Sequence, residues 1–295
     1  MKFLCLILTL ALTLCGCSAN NTDSVSSSLD TDDDVVQTLP ILTVVFGDVG
    51  KADFILLSCG GEYGVIDAGY KKSYDYIEKT LLDLGVEKLK FAVGTHPDKD
   101  HIGGMAKLIK NFDIEQLYIS PRQNSSDEYE KMIKRAEEKN IPVITASVGD
   151  VLDLGGAKLT TYSPNSALLM LDDDNEASVV QMLSYGDFRM LLMADGQLIC
   201  ESVLLNSGLD LKADVIKIAH HGSNRSSTEG FLKTVGAKYA VISAGNDGSE
   251  EYPSKAVVDK ITDMGTELYR TDRDGAVILK TDGVNIEFER GYIPE

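Results

Sequence analysis

The sequence predicts an α/β (α+β) protein in which two mixed β-sheets pack face to face with helices on the outside. Two observations support this class. In each half of the chain, consecutive β-rich runs are followed by alternating β-rich and helical segments, the pattern of sheets covered by helices. From about residue 40 to residue 295 there is no internal repeat and no second linker, and that length suits one layered domain.

The first half begins with strands and then alternates. Residues 41–46 are rich in β-branched and aromatic side chains, and a turn at 59–62 joins two further β-rich runs into a hairpin. Apolar residues then recur at helical spacing between Tyr74 and Leu84. The elements predicted next are a strand at 89–93, a helix at 105–110, a strand at 114–119, a helix at 127–139 and a strand at 141–145.

The second half also begins with consecutive strands and then alternates strands and helices. Its predicted strands lie at 159–162, 178–185, 188–193, 215–218 and 239–242, near Leu268, and at 277–279 and 284–288. Its predicted helices lie near 198–206, 229–235 and 254–264.

Residues 1–17 are predicted to be a lipoprotein signal peptide. Lys2 supplies a positive charge, and the apolar run at 3–14 is shorter than the about 20 residues that a membrane-spanning helix needs. The run ends in Leu-Cys-Gly-Cys at 14–17, which resembles a bacterial lipobox, so we expect cleavage before Cys17 and lipid on its thiol. An ordinary secretory signal that contains cysteine is the alternative. Residues 18–39, rich in Ser, Asn, Thr and Asp, are expected to form a flexible acidic tether.

The mature chain is therefore expected outside the cytoplasm, attached to a bacterial membrane by its lipid alone and without a transmembrane helix. The full chain has 28 basic and 46 acidic residues, a formal net charge of −18. Such a surface repels phosphate backbones and argues against a sequence-independent nucleic-acid binder, which would need a basic footprint. A nucleic-acid substrate stays open, because a bound dication can invert the local field.

Every histidine of the chain falls in one of two short clusters. The first, Thr-His-Pro-Asp-Lys-Asp-His at 95–101, follows a β-rich run and precedes two glycines. Imidazole and carboxylate are the ligands of hydrolytic metal sites. One ion cannot easily take four ligands from so short a segment, so we expect two neighbouring ions. The predicted ligands are His96, Asp98, Asp100 and His101. The alternative is a solvated loop whose aspartates cap the following helix.

The second cluster is His220-His221, which follows an apolar run. Adjacent histidines on an extended backbone point in opposite directions, so we expect one to bind metal and the other to contact substrate or act as an acid. His220 is favoured as the ligand and His221 as the acid or substrate contact. Asp195 ends another apolar run and is predicted to bridge two ions, with a helix N-cap as the alternative. Asp67 also ends a predicted strand and is expected to orient a ligand or the loop.

Taken in order, these segments resemble the metallo-β-lactamase fold superfamily and are similar to the hydrolase domain of ComEC-type competence proteins. The similarity runs from residue 41 to about 288, with motifs at 49–53, 66–69, 95–104, 175–178, 191–195, 220–227 and 242–245. The resemblance implies a four-layer αββα sandwich with the site at the sheet edge. It also implies one metal on His96 and Asp98 and a second on Asp100, His101 and His220, with Asp195 bridging.

The chain departs from the superfamily pattern in several places. No histidine lies between His101 and His220, so the usual central histidine ligand is absent, and Asn175, Ser178 or water would take its place. Tyr252 stands where the ComEC-like branch often has a histidine, and Lys51-Ala52 stands where Gln-Gly is usual. These changes make the ligand set richer in oxygen. Carboxylate ligands suit manganese or magnesium better than an all-histidine ligand set does. We expect one or two divalent ions, zinc as the superfamily default and manganese next.

These features predict a metal-dependent hydrolase that uses a metal-bound hydroxide on a phosphodiester, either nucleic acid or a small or cell-envelope diester. Asp100 and His221 are the predicted catalytic residues, and Asp67, Asn175 and Ser223 are the predicted supporting residues. One alternative is a surface lipoprotein that binds metal or a ligand without turnover. A weaker alternative is β-lactamase activity, which generally relies on the missing histidine ligands. The oligomeric state does not follow from the sequence.

Overall fold

The computed structural model describes residues 39–245 and 252–291. The strands are, in chain order, β1 (Leu42–Phe46), β2 (Phe54–Cys59), β3 (Glu62–Ala68), β4 (Lys88–Leu89), β5 (Phe91–Gly94), β6 (Asp113–Ile114), β7 (Leu117–Ile119), β8 (Val143–Thr145), β9 (Val151–Leu154), β10 (Ala157–Ser163), β11 (Val180–Tyr185), β12 (Phe188–Leu192), β13 (Val215–Lys217), β14 (Tyr239–Ile242), β15 (Glu267–Arg270), β16 (Val277–Thr281) and β17 (Ile286–Arg290). The helices are α1 (Tyr74–Asp83), α2 (Lys99–Ile102), α3 (Met105–Asn111), α4 (Asp127–Glu138), α5 (Ser166–Leu169), α6 (Leu198–Leu205), α7 (Glu229–Val235), α8 (Lys255–Asp263) and α9 (Thr271–Asp274), with 3₁₀ turns at Lys71–Ser73 and Ala219–Gly222.

Two mixed sheets form the centre of the described chain. The first has the order β17-β16-β1-β2-β3-β5-β7-β8, antiparallel as far as β3 and parallel beyond it. The second has the order β15-β14-β13-β12-β11-β10-β9, parallel as far as β12 and antiparallel beyond it. The parallel neighbours β3 and β5, and likewise β12 and β13, end at the same edge of their sheet. Loops at the carboxyl ends of parallel strands are the usual place for a ligand site in α/β proteins.

Three apolar cores separate four layers, because successive side chains of a strand face opposite sides of its sheet. Leu42, Val44 and Phe46 of β1 point into a core shared with β12 and β13, so this core lies between the sheets. Val45 points the other way, into a core with the helices α1, α3 and α4. A third core joins the outer face of the second sheet to α6, α7 and α8. The four-layer αββα sandwich predicted from the sequence is confirmed.

Some local predictions were incomplete. The strand predicted at 114–119 is two short strands, since β6 pairs with β4 in a separate small sheet whereas β7 joins the first sheet. The elements β9, α5 and α9 were not predicted; each is only four residues long, too short for a clear periodicity. The predicted signal peptide, the lipid anchor Cys17 and residues 18–38 of the predicted tether lie outside the described residues. Within the described ranges, no helix has the length and apolarity needed to cross a membrane.

Candidate metal centre

The segment predicted to carry most of the ligands leaves the carboxyl end of β5 and folds into a helical turn. His96 is buried in the loop, Asp98 is the residue before α2, and Asp100 and His101 lie on α2 itself. Gly103 and Gly104 follow. A Cβ on Gly103 would lie 3.0 Å from the carbonyl oxygen of Gly69, and a Cβ on Gly104 would lie 2.2 Å from that of Ala68. The two glycines therefore let this turn pack directly on the end of β3. The sequence predicted a helix only from residue 105, so the α2 turn was missed.

Asp67, at the end of β3, holds that segment in place. Its Oδ1 accepts a hydrogen bond from the Thr95 backbone N–H at 2.9 Å, and its Oδ2 accepts one from the Thr95 hydroxyl at 2.7 Å. Oδ2 also lies 2.7 Å from Nδ1 of His101. A hydrogen bond at Nδ1 fixes the imidazole so that Nε2 faces the site. These contacts are those expected of a residue that orients a ligand.

Asp195 follows β12 and lies at the centre of the site. Its Oδ1 is 3.3 Å from Nε2 of His101, and its Oδ2 is 3.8 Å from Nε2 of His96. Oδ2 is also 3.7 Å from Nε2 of His221 and 3.8 Å from Nε2 of His220. The structure therefore brings the His96–His101 segment together with Asp195 and both later histidines, although more than ninety residues separate them in the sequence.

Asp98 and Asp100 complete the cluster on its accessible side. Oδ2 of Asp98 lies 3.8 Å from Nε2 of His96, and Oδ2 of Asp100 lies 3.8 Å from Nε2 of His221. The side chains of these aspartates are 43% and 15% exposed, whereas the side chains of His96 and His221 are fully buried. The open side of the site therefore lies towards the two aspartates.

The two adjacent histidines do not lie on an extended backbone, so the premise that they point in opposite directions was wrong. Both adopt the left-handed conformation, with φ of 49° at His220 and 53° at His221. In this conformation both rings reach Asp195. Nδ1 of His221 lies 3.0 Å from the carbonyl oxygen of Ser243, which fixes its tautomer, whereas His220 lies beside Tyr252, with ring centroids 5.6 Å apart.

The remaining supporting residues flank the centre. Ser178 accepts a hydrogen bond from the backbone N–H of Asp195 at 3.3 Å, and Val179 N–H donates to the carbonyl of Thr95 at 2.9 Å. The segment containing Asn175 therefore runs beside the start of the first cluster, and Oδ1 of Asn175 is buried without a hydrogen-bond partner. Ser223 accepts from the backbone N–H of Arg225 at 3.2 Å, which closes the turn after the histidine pair.

The donor set fits a divalent cation. Nε2 of His96, His101 and His221 and Oδ1 of Asp195 are all buried without a hydrogen-bond partner. Buried polar atoms are normally paired, and leaving them unpaired is costly, so several unpaired ligand atoms facing one another are the arrangement expected of a cation site. Among the described residues, three groups of buried or half-buried ligand atoms have the required spacing. Two lie in the centre: His96, His101 and Asp195 form one, and Asp100, His101 and His221 form the other. The third, Asp53, Asp67 and His101, lies behind it.

The protonation preferences of the metal-free site agree with this interpretation. Burial lowers the pKa of His96 to about 3, so its imidazole is neutral and its lone pair is free. Burial opposes the positive charge of His101, but Asp195 and Asp67 raise its pKa well above the usual value. Burial likewise opposes the charge of Asp195, but His101 and His221 hold its pKa well below the usual range. In the metal-free protein the proton on His101 thus supplies a positive charge that a bound cation would replace.

Sequence reasoning missed a buried ion pair behind the centre. Nζ of Lys217, in β13, lies 2.7 Å from Oδ2 of Asp53, and the side chains are 0% and 1% exposed. Asp53 is also 3.8 Å from Nδ1 of His101 and of His221. Burial raises the pKa of Asp53, but Lys217, followed by His221, lowers it more, so the carboxylate stays charged. The available signal was Lys217 itself, a lysine within an apolar strand three residues before the histidine pair.

The sequence of this chain matches a known protein family and is similar to known proteins. Residues 48–246 match the family described as the metallo-beta-lactamase superfamily. The chain is 27% identical to ComE operon protein 3 of Bacillus subtilis over 248 residues, which are 78% of this chain and 32% of that protein. It is 26% identical to competence protein ComA of Neisseria gonorrhoeae over 251 residues, which are 79% of this chain and 31% of that protein. The chain thus spans about a third of the length of these relatives.

Solved structures agree on the fold. The metallo-beta-lactamase fold protein YhfI from Bacillus subtilis superposes with a TM-score of 0.55 at 12% identity, covering 82% of this chain and 100% of that one. Igni18, a metallo hydrolase from Ignicoccus hospitalis, superposes with a TM-score of 0.52 at 13% identity, covering 80% of this chain and 98% of that one. These matches confirm the resemblance inferred from the sequence motifs. The chain belongs to the metallo-β-lactamase superfamily.

Proposed function

We propose that this protein is a metal-dependent phosphodiesterase acting on nucleic acid or on a small or cell-envelope diester. The observation that carries the proposal is the convergence of three unpaired, buried imidazole nitrogens on one carboxylate. They belong to His96, His101 and His221, and the carboxylate is that of Asp195. Imidazole and carboxylate together are the donor set of hydrolytic zinc and manganese sites.

We assign His96 and Asp98 to a first ion and Asp100, His101 and His221 to a second, with Asp195 shared. This exchanges the roles that the sequence favoured for the two adjacent histidines. His221 is the one grouped with Asp100 and His101 at ligand spacing, and its side chain is fully buried. The His220 side chain is 11% exposed, so it is the better placed of the two to meet a substrate. Zinc is the first candidate metal and manganese the next.

A divalent ion bound here would lower the pKa of a coordinated water and polarise the phosphoryl group. The protein's own contribution is to place and hold the groups around the substrate. Asp67 and the Ser243 carbonyl fix the rings of His101 and His221 through their Nδ1 atoms. Burial lowers the pKa of His220, so its ring is neutral near pH 7 and can contact a substrate without carrying a charge.

The test is hydrolysis of bis(p-nitrophenyl) phosphate by purified protein after zinc or manganese is added. We expect turnover that disappears on chelation and in the variants Asp100→Ala and His101→Ala. Elemental analysis of the same preparations shows whether each variant lost its metal. Full activity in either variant or in the chelated protein would refute the proposal.

A second candidate, a protein that binds metal or a ligand without turnover, is motivated by the missing central histidine. No histidine lies between His101 and His220 in the sequence. Asn175, Ser178 or water is predicted from the sequence to take its place, and the buried Oδ1 of Asn175 has no hydrogen-bond partner. An amide oxygen is a weaker ligand for zinc than imidazole. Hydrolysis of any substrate faster than by free metal would exclude this candidate. A nitrocefin assay separately tests β-lactamase activity.

We also propose that the protein works outside the cytoplasm, attached to a bacterial membrane by lipid on Cys17. The support is the short apolar run and the Leu-Cys-Gly-Cys sequence that ends in Cys17. More than one acyl chain would give stable anchoring where a single chain would not. In the native host, Cys17→Ala should move the protein from the membrane fraction to the soluble fraction, and an unchanged distribution would contradict the anchor.

A further inference from the structure

Two departures from the family sequence pattern, Lys51 and Tyr252, meet at the open side of the candidate metal centre. Nζ of Lys51 lies 4.5 Å from the ring centroid of Tyr252. The same Nζ lies 3.6 Å from Oδ2 of Asp100, and the Lys51 side chain is 25% exposed. The ring of Tyr252 lies in turn beside that of His220. The pair therefore borders the site where Asp98, Asp100 and His220 are accessible.

Close backbone packing fixes both residues relative to the histidine pair. A Cβ on Gly245 would lie 2.3 Å from the backbone nitrogen of Lys51, so the end of β14 packs directly on that backbone. A Cβ on Gly222 would lie 2.6 Å from Cβ of Pro253, the residue after Tyr252. The Ser254 N–H also donates to the Gly222 carbonyl at 2.9 Å. The loop before β2 and the segment before α8 are thus held against the turn that carries His220 and His221.

The net charge of the site indicates a role for Lys51 in attracting an anionic substrate. Lys217 compensates the charge of Asp53 behind the centre. Four further carboxylates lie in or directly behind the centre and would formally cancel the charge of two divalent ions; they are those of Asp67, Asp98, Asp100 and Asp195. A phosphodiester is an anion and gains less from such a neutralised pair of ions than from a histidine-rich site. Among the described residues, Lys51 is the one Lys or Arg whose charged nitrogen lies within 4.0 Å of a carboxylate oxygen of a proposed ligand.

We propose, given the phosphodiesterase function above, that Lys51 is a substrate-binding residue that pairs with a non-bridging phosphate oxygen, held in position by the ring face of Tyr252. The substrate class is then an anionic diester and not an uncharged ester. In the metal-free protein the ammonium group pairs with Asp100. A metal ion on Asp100 takes over that carboxylate charge and leaves the ammonium group for the substrate.

The experiment compares Lys51→Met, Lys51→Arg and wild type, each loaded with metal, on two substrates. Bis(p-nitrophenyl) phosphate is anionic and p-nitrophenyl acetate is neutral. A charge-assisted contact predicts that Lys51→Met raises KM for the diester about ten-fold or more and leaves KM for the acetate unchanged. Lys51→Arg should restore most of the diester affinity, because it keeps the charge. Tyr252→Leu should raise the diester KM by about two- to five-fold through loss of the cation–π contact.

The control variant is Lys99→Met, which removes the same charge from an exposed position next to Asp100 in the sequence. Its kinetic constants should stay at the wild-type values. Metal content by elemental analysis should be the same in all variants. Equal losses on the diester and the acetate would overturn the proposal, since they would indicate a general defect of the site.

Binding of inorganic phosphate, measured by calorimetry on the metal-loaded proteins, separates this proposal from the proposed function. If wild type fails to cleave the diester, the phosphodiesterase proposal fails. A phosphate affinity that still drops about ten-fold in Lys51→Met and not in Lys99→Met would nevertheless support Lys51 as an anion-binding residue. Equal phosphate affinity in wild type and Lys51→Met would overturn its role.

Discussion

The buried pair between Asp53 and Lys217 allows a quantitative prediction. At 2.7 Å, two unit charges attract by about 6 kcal/mol if the effective dielectric constant is about 20. Desolvation offsets part of this attraction, and breaking a buried pair by removing one partner typically costs about 3–5 kcal/mol. Lys217→Met keeps the length and apolar packing of the side chain and leaves Asp53 uncompensated. His101 and His221 lie 3.8 Å from Asp53 and compensate part of its charge. We therefore expect Lys217→Met to lower the free energy of unfolding by about 3 kcal/mol.

Urea unfolding in the presence of a chelator measures this free energy without a metal contribution. The matched control is Lys280→Met, which breaks a pair of similar length, 2.6 Å to Glu289, whose side chains are 40% and 52% exposed. That change should cost less than about 1 kcal/mol. The double variant Asp53→Asn with Lys217→Met should be more stable than Lys217→Met alone. Equal losses at Lys217 and Lys280, or a double variant as unstable as Lys217→Met, would refute the reasoning.

Three further predictions concern the metal. Asp67→Asn should weaken metal binding about 10- to 100-fold, measured by competition with a chromophoric chelator, because His101 loses its orienting carboxylate; a change below about three-fold would contradict that role. Metal at about 100 times its Kd should stabilise the fold by about 2.7 kcal/mol in thermal melts, and Asp195→Asn should lose most of this gain. Burial and the nearby Asp100 raise the pKa of Asp98 to about 6 in the metal-free protein. A proton on Asp98 therefore competes with metal below about pH 6, so affinity should fall more steeply as the pH falls through this value, and Asp98→Asn should remove this extra steepness while the proton on His101 still competes.

The sequence predicted the layers and the ligand cluster because both depend on local pattern. Alternating apolar residues in β1 fill two different cores, as period-two patterning requires. The spacing of His96, Asp98, Asp100 and His101 after a β-rich run was sufficient to predict that their side chains converge. The short α2 turn was not predicted, since the capping and packing that form it depend on Gly103 and Gly104 meeting the end of β3.

What the sequence did not reveal depends on tertiary context. Left-handed backbone is uncommon for residues other than glycine, so nothing in the pair His220-His221 signals that both rings reach Asp195. The contact of Lys217 with Asp53 joins residues more than 160 positions apart. The contact of Lys51 with Tyr252 likewise requires two loops to meet. Local sequence can mark such residues as unusual, but only the folded chain pairs them.

The centre draws its groups from both sheets: Asp67 and the α2 turn follow strands of the first, whereas Asp195 and the histidine pair follow strands of the second. An ion bound here would link the two sheets of the sandwich at one edge. Removing that ion would therefore abolish the proposed chemistry and would also weaken the contact between the sheets at this edge. The concentration of available metal would thus govern the stability of the folded protein as well as its activity.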